Sequence, residues 1–170
     1  MDMSERVLII SVHPDDEALG CGGTILKHVQ SGADVHWVIL TQAHEPAWSA
    51  EVISEKAEEV EAAAQAYGMA SYRRLGFPAN GLDGIPFGDL VSRLREAIAE
   101  IAPNTVYCVS ELDVHTDHHI GFKALTVVLK AFNMRDFGVG RILCYETLSS
   151  TDAVPPMPGR VFVPNMYSDI

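Results

Sequence analysis

The sequence predicts an α/β sandwich built on a mainly parallel sheet. Two observations predict it. Short β-branched apolar runs alternate with longer segments of helical periodicity, and those runs are apolar throughout instead of at every second residue. Strands of that composition are buried on both faces, so helices must cover the sheet above and below. Regular alternation of strand and helix then gives βαβ crossovers and a doubly wound arrangement.

The first strand is expected at 7–12, where Val7, Leu8, Ile9 and Ile10 run without a polar break. Further strands follow at 35–40, 72–75, 105–109 and 142–146, each short and rich in β-branched or aromatic residues. Helices are expected between them at 18–30, 51–67, 87–101 and 119–132. The second has the clearest amphipathic pattern, with alanine and valine on one side and glutamate on the other. In such sheets ligands bind beyond the carboxyl ends of the strands, where strand order reverses. The loops after Val12, Leu40, Leu75, Val109 and Glu146 are therefore the ones to search.

A chain of 170 residues is the size of one domain, and 1–170 is read as a single domain. The segment after Ser149 carries Pro155, Pro156, Pro158 and Pro164 and completes no helix or strand, so a natural continuation beyond Ile170 is expected. No run of about eighteen apolar residues occurs, and no membrane span is expected. The first dozen residues carry acidic residues where a secretory leader needs positive charge; they read as a strand, and no cleaved leader is expected. Cys21, Cys108 and Cys144 are an odd number, widely spaced and in apolar surroundings; buried thiols in a reducing cytoplasm are the expectation. A net charge of −11 argues against a nucleic-acid partner, which lysine and arginine would have to hold. A homo-oligomer is left open.

Two of the five loops hold nearly all the titratable residues able to act together. The first is His13–Pro14–Asp15–Asp16–Glu17; the second runs from Asp113 through His115, Thr116, Asp117, His118 and His119. The first and fourth strands commonly neighbour each other across the switch point, which would bring both loops into one crevice. Three protein ligands and one open position define a catalytic zinc site, with imidazole and carboxylate as common donors. His13 and Asp16 can both reach one ion from a tight turn, and a third donor from the second loop would complete the set. Such an ion brings the pKa of a water to about 7. Asp15 is left free to take a proton. His115 precedes His118 by three residues, so both face one site if a helix starts near Asp117, and Asp117 is placed to orient His115.

These residues resemble the LmbE-like (PIG-L) de-N-acetylases. His13–Pro14–Asp15–Asp16–Glu17 before a glycine-rich helix start, then His115–Thr116–Asp117–His118, match that family's two signatures in order. The resemblance runs from the first strand to about Glu146. It implies a Rossmann-like three-layer sandwich, a divalent cofactor (usually Zn2+, with another ion such as Fe2+ open), and hydrolysis of an N-acetylglucosamine-type amino sugar or glycoconjugate. It makes His13, Asp16 and His118 the metal ligands, Asp15 the general base, and His115 the residue that stabilises the tetrahedral intermediate, with Asp117 behind it. Many members carry a substrate-contacting arginine early in the second helix; Lys56 stands there here, and lysine lacks the bidentate fork.

Other residues are read beside these. Arg73 and Arg74 close the third strand and either reach a substrate anion or form a solvated pair. Asn80, Asp83 and Gly84 form a polar turn that could line the sugar pocket. Trp48 stacks on a sugar or packs under its loop. His119 is read as structural, and His28, His36 and His44 as surface or partly buried residues, with His44, which follows the second strand, left open as able to reach the pocket. Gly20, Gly22 and Gly23 lack the phosphate-cradling spacing and are read as close backbone packing. Two competing classes use parts of the pattern. The facial triad of iron oxygenases shares the two-histidine, one-carboxylate ligand set but needs no adjacent spare acid. A non-enzymatic Rossmann-like ligand-binding module leaves the second histidine cluster without a role.

Overall fold

The structure, a computed structural model, describes residues 5–155 and 157–170. Pro156 and the first four residues, part of the opening stretch read as a strand, lie outside the described residues. Five strands form one sheet: β1 (Arg6–Ser11), β2 (Asp34–Gln42), β3 (Ser71–Pro78), β4 (Thr105–Val109) and β5 (Arg141–Tyr145). Their order is β3-β2-β1-β4-β5, and every pairing is parallel. The five predicted strands are all present, in the fold class the sequence predicts.

β1 sits at the centre because Val7, Leu8, Ile9 and Ile10 are apolar on both faces and are at most 2% exposed. The chain winds outward from β1 to β2 and β3, then returns to place β4 on the other side of β1. The loops leaving β1 and β4 therefore diverge and open a crevice at the switch point. Helices α1 (Asp16–Gln30), α2 (Ala50–Tyr67), α3 (Phe87–Ile101) and α4 (Thr116–Val128) form the crossovers. α3 presents Leu90, Leu94, Ala97 and Ile98 to the core at the 3–4 spacing of one helical face.

Two boundaries differ from expectation in ways that matter. β3 runs on to Pro78, so Arg73 and Arg74 lie in mid-strand instead of at its end. The helix expected over 119–132 begins earlier, at Thr116, and divides; α5 (Ala131–Phe137) follows after a break. No proline or glycine marks that break. Lys130 takes an extended ψ of 150°, and Asn133 Nδ2 donates to the Val128 carbonyl at 2.8 Å, partnering an acceptor at the helix end.

Two glycines set how closely helices approach the sheet. A Cβ on Gly121 would lie 2.7 Å from Val12 and 3.0 Å from Leu40, so α4 seats directly on β1 and β2. One on Gly20 would fall into the Tyr145 ring and 2.6 Å from the Glu146 carbonyl oxygen. Close packing is the role of both, as expected for Gly20.

Candidate active site

The tight turn after β1 is held from inside by one carboxylate. Asp16 Oδ2 accepts from the backbone N–H of Val12 and of His13, both at 2.8 Å, and Asp16 is buried. That leaves Oδ1 facing His118 Nε2 at 3.2 Å. Asp15 occupies the N-cap position of α1 but makes no side-chain cap bond, and its carboxyl is exposed toward the crevice. Capping therefore does not consume it. The crevice is a cavity of about 440 Å³ lined by His13, Asp15, Asp16, His115 and His118, with Trp48, Lys56 and Asn80 at its sides.

Hydrogen-bond partners fix which ring nitrogens carry lone pairs. His118 Nδ1 is 2.9 Å from the buried Asp113 Oδ2, so it is the donor and Nε2 is left as acceptor. His13 Nε2 is 3.2 Å from Asp117 Oδ2, so Nδ1 is its free acceptor. Those two acceptor nitrogens face each other at 3.2 Å, with Asp16 Oδ1 alongside. Two imidazole nitrogens and a carboxylate oxygen converging in a partly buried place favour a positive charge between them, a proton or a metal ion. Ligands of a tetrahedral zinc at about 2.05 Å stand about 3.3 Å apart, which the 3.2 Å separations match. The donor set fits a divalent ion. Without one, a proton serves. Burial opposes charge on His118, but the bonds to Asp113 and Asp16 outweigh it and push the ring up to about 9.

His13, His115 and His118 together also place one nitrogen each within 4.8 Å of one another. His115, however, spends both of its nitrogens elsewhere. Nδ1 accepts from the Asp117 N–H at 3.1 Å, capping α4, and Nε2 donates to Asn80 Oδ1 at 3.1 Å. Its ring still borders the cavity, stacked on His118 with centroids 5.0 Å apart. Burial, then the charges of His13 and His118, hold its pKa below the usual histidine value. Asp15 is shifted the other way: burial and the neighbouring Asp16 raise it, against the pull of His13, His118 and Lys56.

The structure corrects the expected partner of Asp117. Its carboxylate faces His13 Nε2 and accepts from the N–H of Asn80 at 2.8 Å and of Leu82 at 3.1 Å; only its backbone meets His115. The reason is the helix start at Thr116. It turns the Asp117 side chain inward, toward the loop before a short 3-10 turn at Leu82–Gly84.

Comparison with known proteins accords with this geometry. The family model described as PIG-L, GlcNAc-PI de-N-acetylase, matches residues 8–129. The chain belongs to the PIG-L family. Over 138 residues it is 31% identical to the 2'-N-acetylparomamine deacetylase of Streptomyces fradiae, covering 66% of this chain and 48% of that protein. It is also 31% identical over 150 residues to the diacetylchitobiose deacetylase of Thermococcus kodakarensis, covering 80% and 55%. The chain thus spans about half the length of these curated relatives. Among solved structures, the conserved protein TT1542 of Thermus thermophilus superposes with a TM-score of 0.69 at 28% identity, over 82% of this chain and 65% of that one.

Within this PIG-L domain the two signature loops meet, and Lys56 and Asn80 join them at the cavity. Arg73, Arg74 and Asp83 do not line it. Arg73 is spent on Glu100, 2.6 Å away, and Asp83 is exposed in the 3-10 turn. His44 bonds the Gly76 carbonyl at 3.2 Å, His28 Tyr107 at 3.0 Å, His36 Ser71 at 2.8 Å, and His119 the Asp113 carbonyl at 2.6 Å. None of the four lines the cavity.

Sequence reasoning assigned Asp113 no role. It is 5% exposed, and its Oδ2 takes bonds from His118 Nδ1, Ser150 Oγ at 2.9 Å and Thr151 Oγ1 at 2.8 Å, while Oδ1 takes the His115 N–H at 2.8 Å. Burial alone would raise its pKa, but these bonds drive it far below the usual carboxylate range. The signal was there: an acid in a loop without lysine or arginine, two residues before a histidine. Ser150 and Thr151 gave no such sign.

Proposed function

We propose that this chain is a metal-dependent amidohydrolase that removes an N-acetyl group from an N-acetylglucosamine-type amino sugar. One observation carries the reading. His13 Nδ1, His118 Nε2 and Asp16 Oδ1 converge, His118 Nε2 lying 3.2 Å from each of the other two, beside the uncommitted carboxyl of Asp15. These three would hold the ion, and zinc is the metal the donor set suits best. A divalent ion supplies Lewis acidity, both to a water and to the acyl carbonyl.

The chain's own residues supply the rest. Asp15, exposed at the cavity and raised in pKa, accepts the proton of the attacking water. His115, with its Nε2–H on Asn80, is poised to exchange that partner for the oxyanion and then protonate the departing amine. Asp113 and Asp117 hold His118 and His13 in the tautomers that leave a lone pair facing inward. Trp48 offers an aromatic wall to a sugar face, and Lys56 a single cationic contact. The deacetylase names of the two relatives above support the reaction class. The three free thiols fit a reducing, cytoplasmic setting. Among the described residues no helix is long and apolar enough to cross a membrane.

The test is metal analysis of the purified chain coupled to amine release from a panel of N-acetylated amino sugars. We expect bound divalent metal, amine release from at least one sugar, and loss of both in His118→Ala. A metal-loaded chain that releases no amine from any sugar, or a His118→Ala chain that keeps its ion, overturns the proposal.

A further inference from the structure

We propose that Cys108 and Cys144 form a redox modification site, a thiol pair that peroxide closes into a disulfide joining β4 to β5. The two are direct register partners on neighbouring parallel strands, so their side chains emerge on the same face of the sheet. Their sulfurs lie 3.8 Å apart, in thiol hydrogen-bond contact. A disulfide bond is about 2.05 Å long, so closure draws the sulfurs together by about 1.8 Å, within reach of side-chain rotation and a small strand adjustment.

Exposure separates the roles of the two thiols. Cys108 is 1% exposed, whereas Cys144 is on the edge strand and exposed, so a soluble oxidant meets Cys144 first. The hydrogen bond from Cys108 holds the Cys144 thiol below its ordinary pKa, against burial and the charge of Glu111. Cys144 is thus the more readily ionised member, and thiolate character governs attack on peroxide. The Cys144 thiolate attacks one peroxide oxygen, the O–O bond breaks, and a sulfenic acid and one water result. Cys108 sulfur then attacks the sulfenyl sulfur, the S–O bond breaks, and the Cys108 proton leaves with that oxygen as the second water. Two thiols are oxidised and both peroxide oxygens are reduced.

The position gives the bond a consequence. β4 runs into the loop carrying Asp113, and β5 into the turn carrying Ser150 and Thr151, which clasp the Asp113 carboxylate. A disulfide here ties together the two strands whose following loops meet behind His118. Cys21, buried on α1, serves as an internal control.

The experiment treats the folded full chain with a stoichiometric dose of hydrogen peroxide, removes the excess, unfolds the chain in alkylating reagent so that every remaining thiol is blocked, and maps the peptides. We expect two thiols lost per chain, a mass decrease of two hydrogens, a peptide pair linked through Cys108 and Cys144, Cys21 still blocked as a thiol, and reversal by dithiothreitol. In Cys144→Ser, Cys108 should keep its thiol at the same dose. Oxygen added to Cys144 without the linkage, a disulfide between chains, or earlier consumption of Cys21 would overturn the proposal.

Discussion

Replacing Asp113 by asparagine tests the arrangement at its least obvious point. The substitution keeps the volume but exchanges one acceptor oxygen for an N–H2 group, in a place where four donors now converge on the carboxylate. If the amide nitrogen takes the Oδ2 position, it opposes the His118 Nδ1–H and drives the ring toward the tautomer whose Nε2 no longer has a lone pair. If it takes the Oδ1 position, it opposes the His115 N–H at the start of α4. Either way at least one buried donor loses its partner, which costs about 1–3 kcal/mol of stability. Loss of a carboxylate behind a ligating histidine typically weakens metal binding about 10–100-fold, or about 1.4–2.7 kcal/mol. The assay is competitive titration of zinc against a chelator, beside a urea unfolding curve of the metal-free protein. We expect both quantities to fall, with the fold retained. An Asp113→Asn protein that bound zinc with the affinity of the parent would refute the claim that this carboxylate sets the His118 tautomer.

Three further outcomes follow from the same geometry. Asp15→Asn should keep the ion, because Asp15 is no part of the donor set, while kcat falls about 10²–10⁴-fold; equal rates for parent and variant would remove Asp15 as the base. The rate profile should lose activity on its acid side at a pH above the usual carboxylate range, since Asp15 is raised, and His115→Gln should abolish the alkaline limb alone; an unchanged alkaline limb would assign it to another group. Burial pushes Glu17, 2% exposed, from 4.5 up to about 7, against a backbone bond and that of Ser11. A raised acid favours folding while protonated, so its ionisation costs stability as pH climbs from 4.5 to 7, by about 3 kcal/mol at most. Urea unfolding with chelator present should show the advantage of Glu17→Gln growing across that window, and a pH-independent difference would contradict it.

The sheet was legible because its inner strands β1, β2 and β4 are mostly apolar on both faces, a pattern no surface helix shares. The two-loop site was legible because chain-order alternation implies a switch point, and only the loops after β1 and β4 carried clustered histidine and aspartate. What could not be read was which acid faces which ring. Asp113, Asp117 and the two histidines between and beyond them are interleaved at spacings of one to five residues. Their pairing depends on which way each side chain leaves the first turn of α4, which spacing along the chain does not give. The α4–α5 break was hidden for a related reason, because the side chain of Asn133, not a proline or glycine, terminates the first helix. Arg73 and Arg74 lie in mid-strand because Phe77 and Pro78 still pair with β2, beyond the end at Leu75 that composition suggests.

Burial sorts the four aspartates of the site into different chemistries. Asp16, Asp113 and Asp117 are 2%, 5% and 1% exposed, and each has at least two hydrogen-bond donors other than the histidine it faces. For Asp113 and Asp117, bonds to the ionised form outweigh burial and keep them charged. Each can then fix one imidazole without taking its proton. Asp15 lacks that ring of donors at its N-cap position, and partial burial, then the charge of Asp16, raises its pKa. The base of the proposed reaction, which must gain and lose a proton in each turnover, needs that difference. A ligand or orienting group needs its opposite. The loop His13–Pro14–Asp15–Asp16 supplies both kinds from adjacent positions, because the turn points Asp16 back into its own backbone and leaves Asp15 to the cavity.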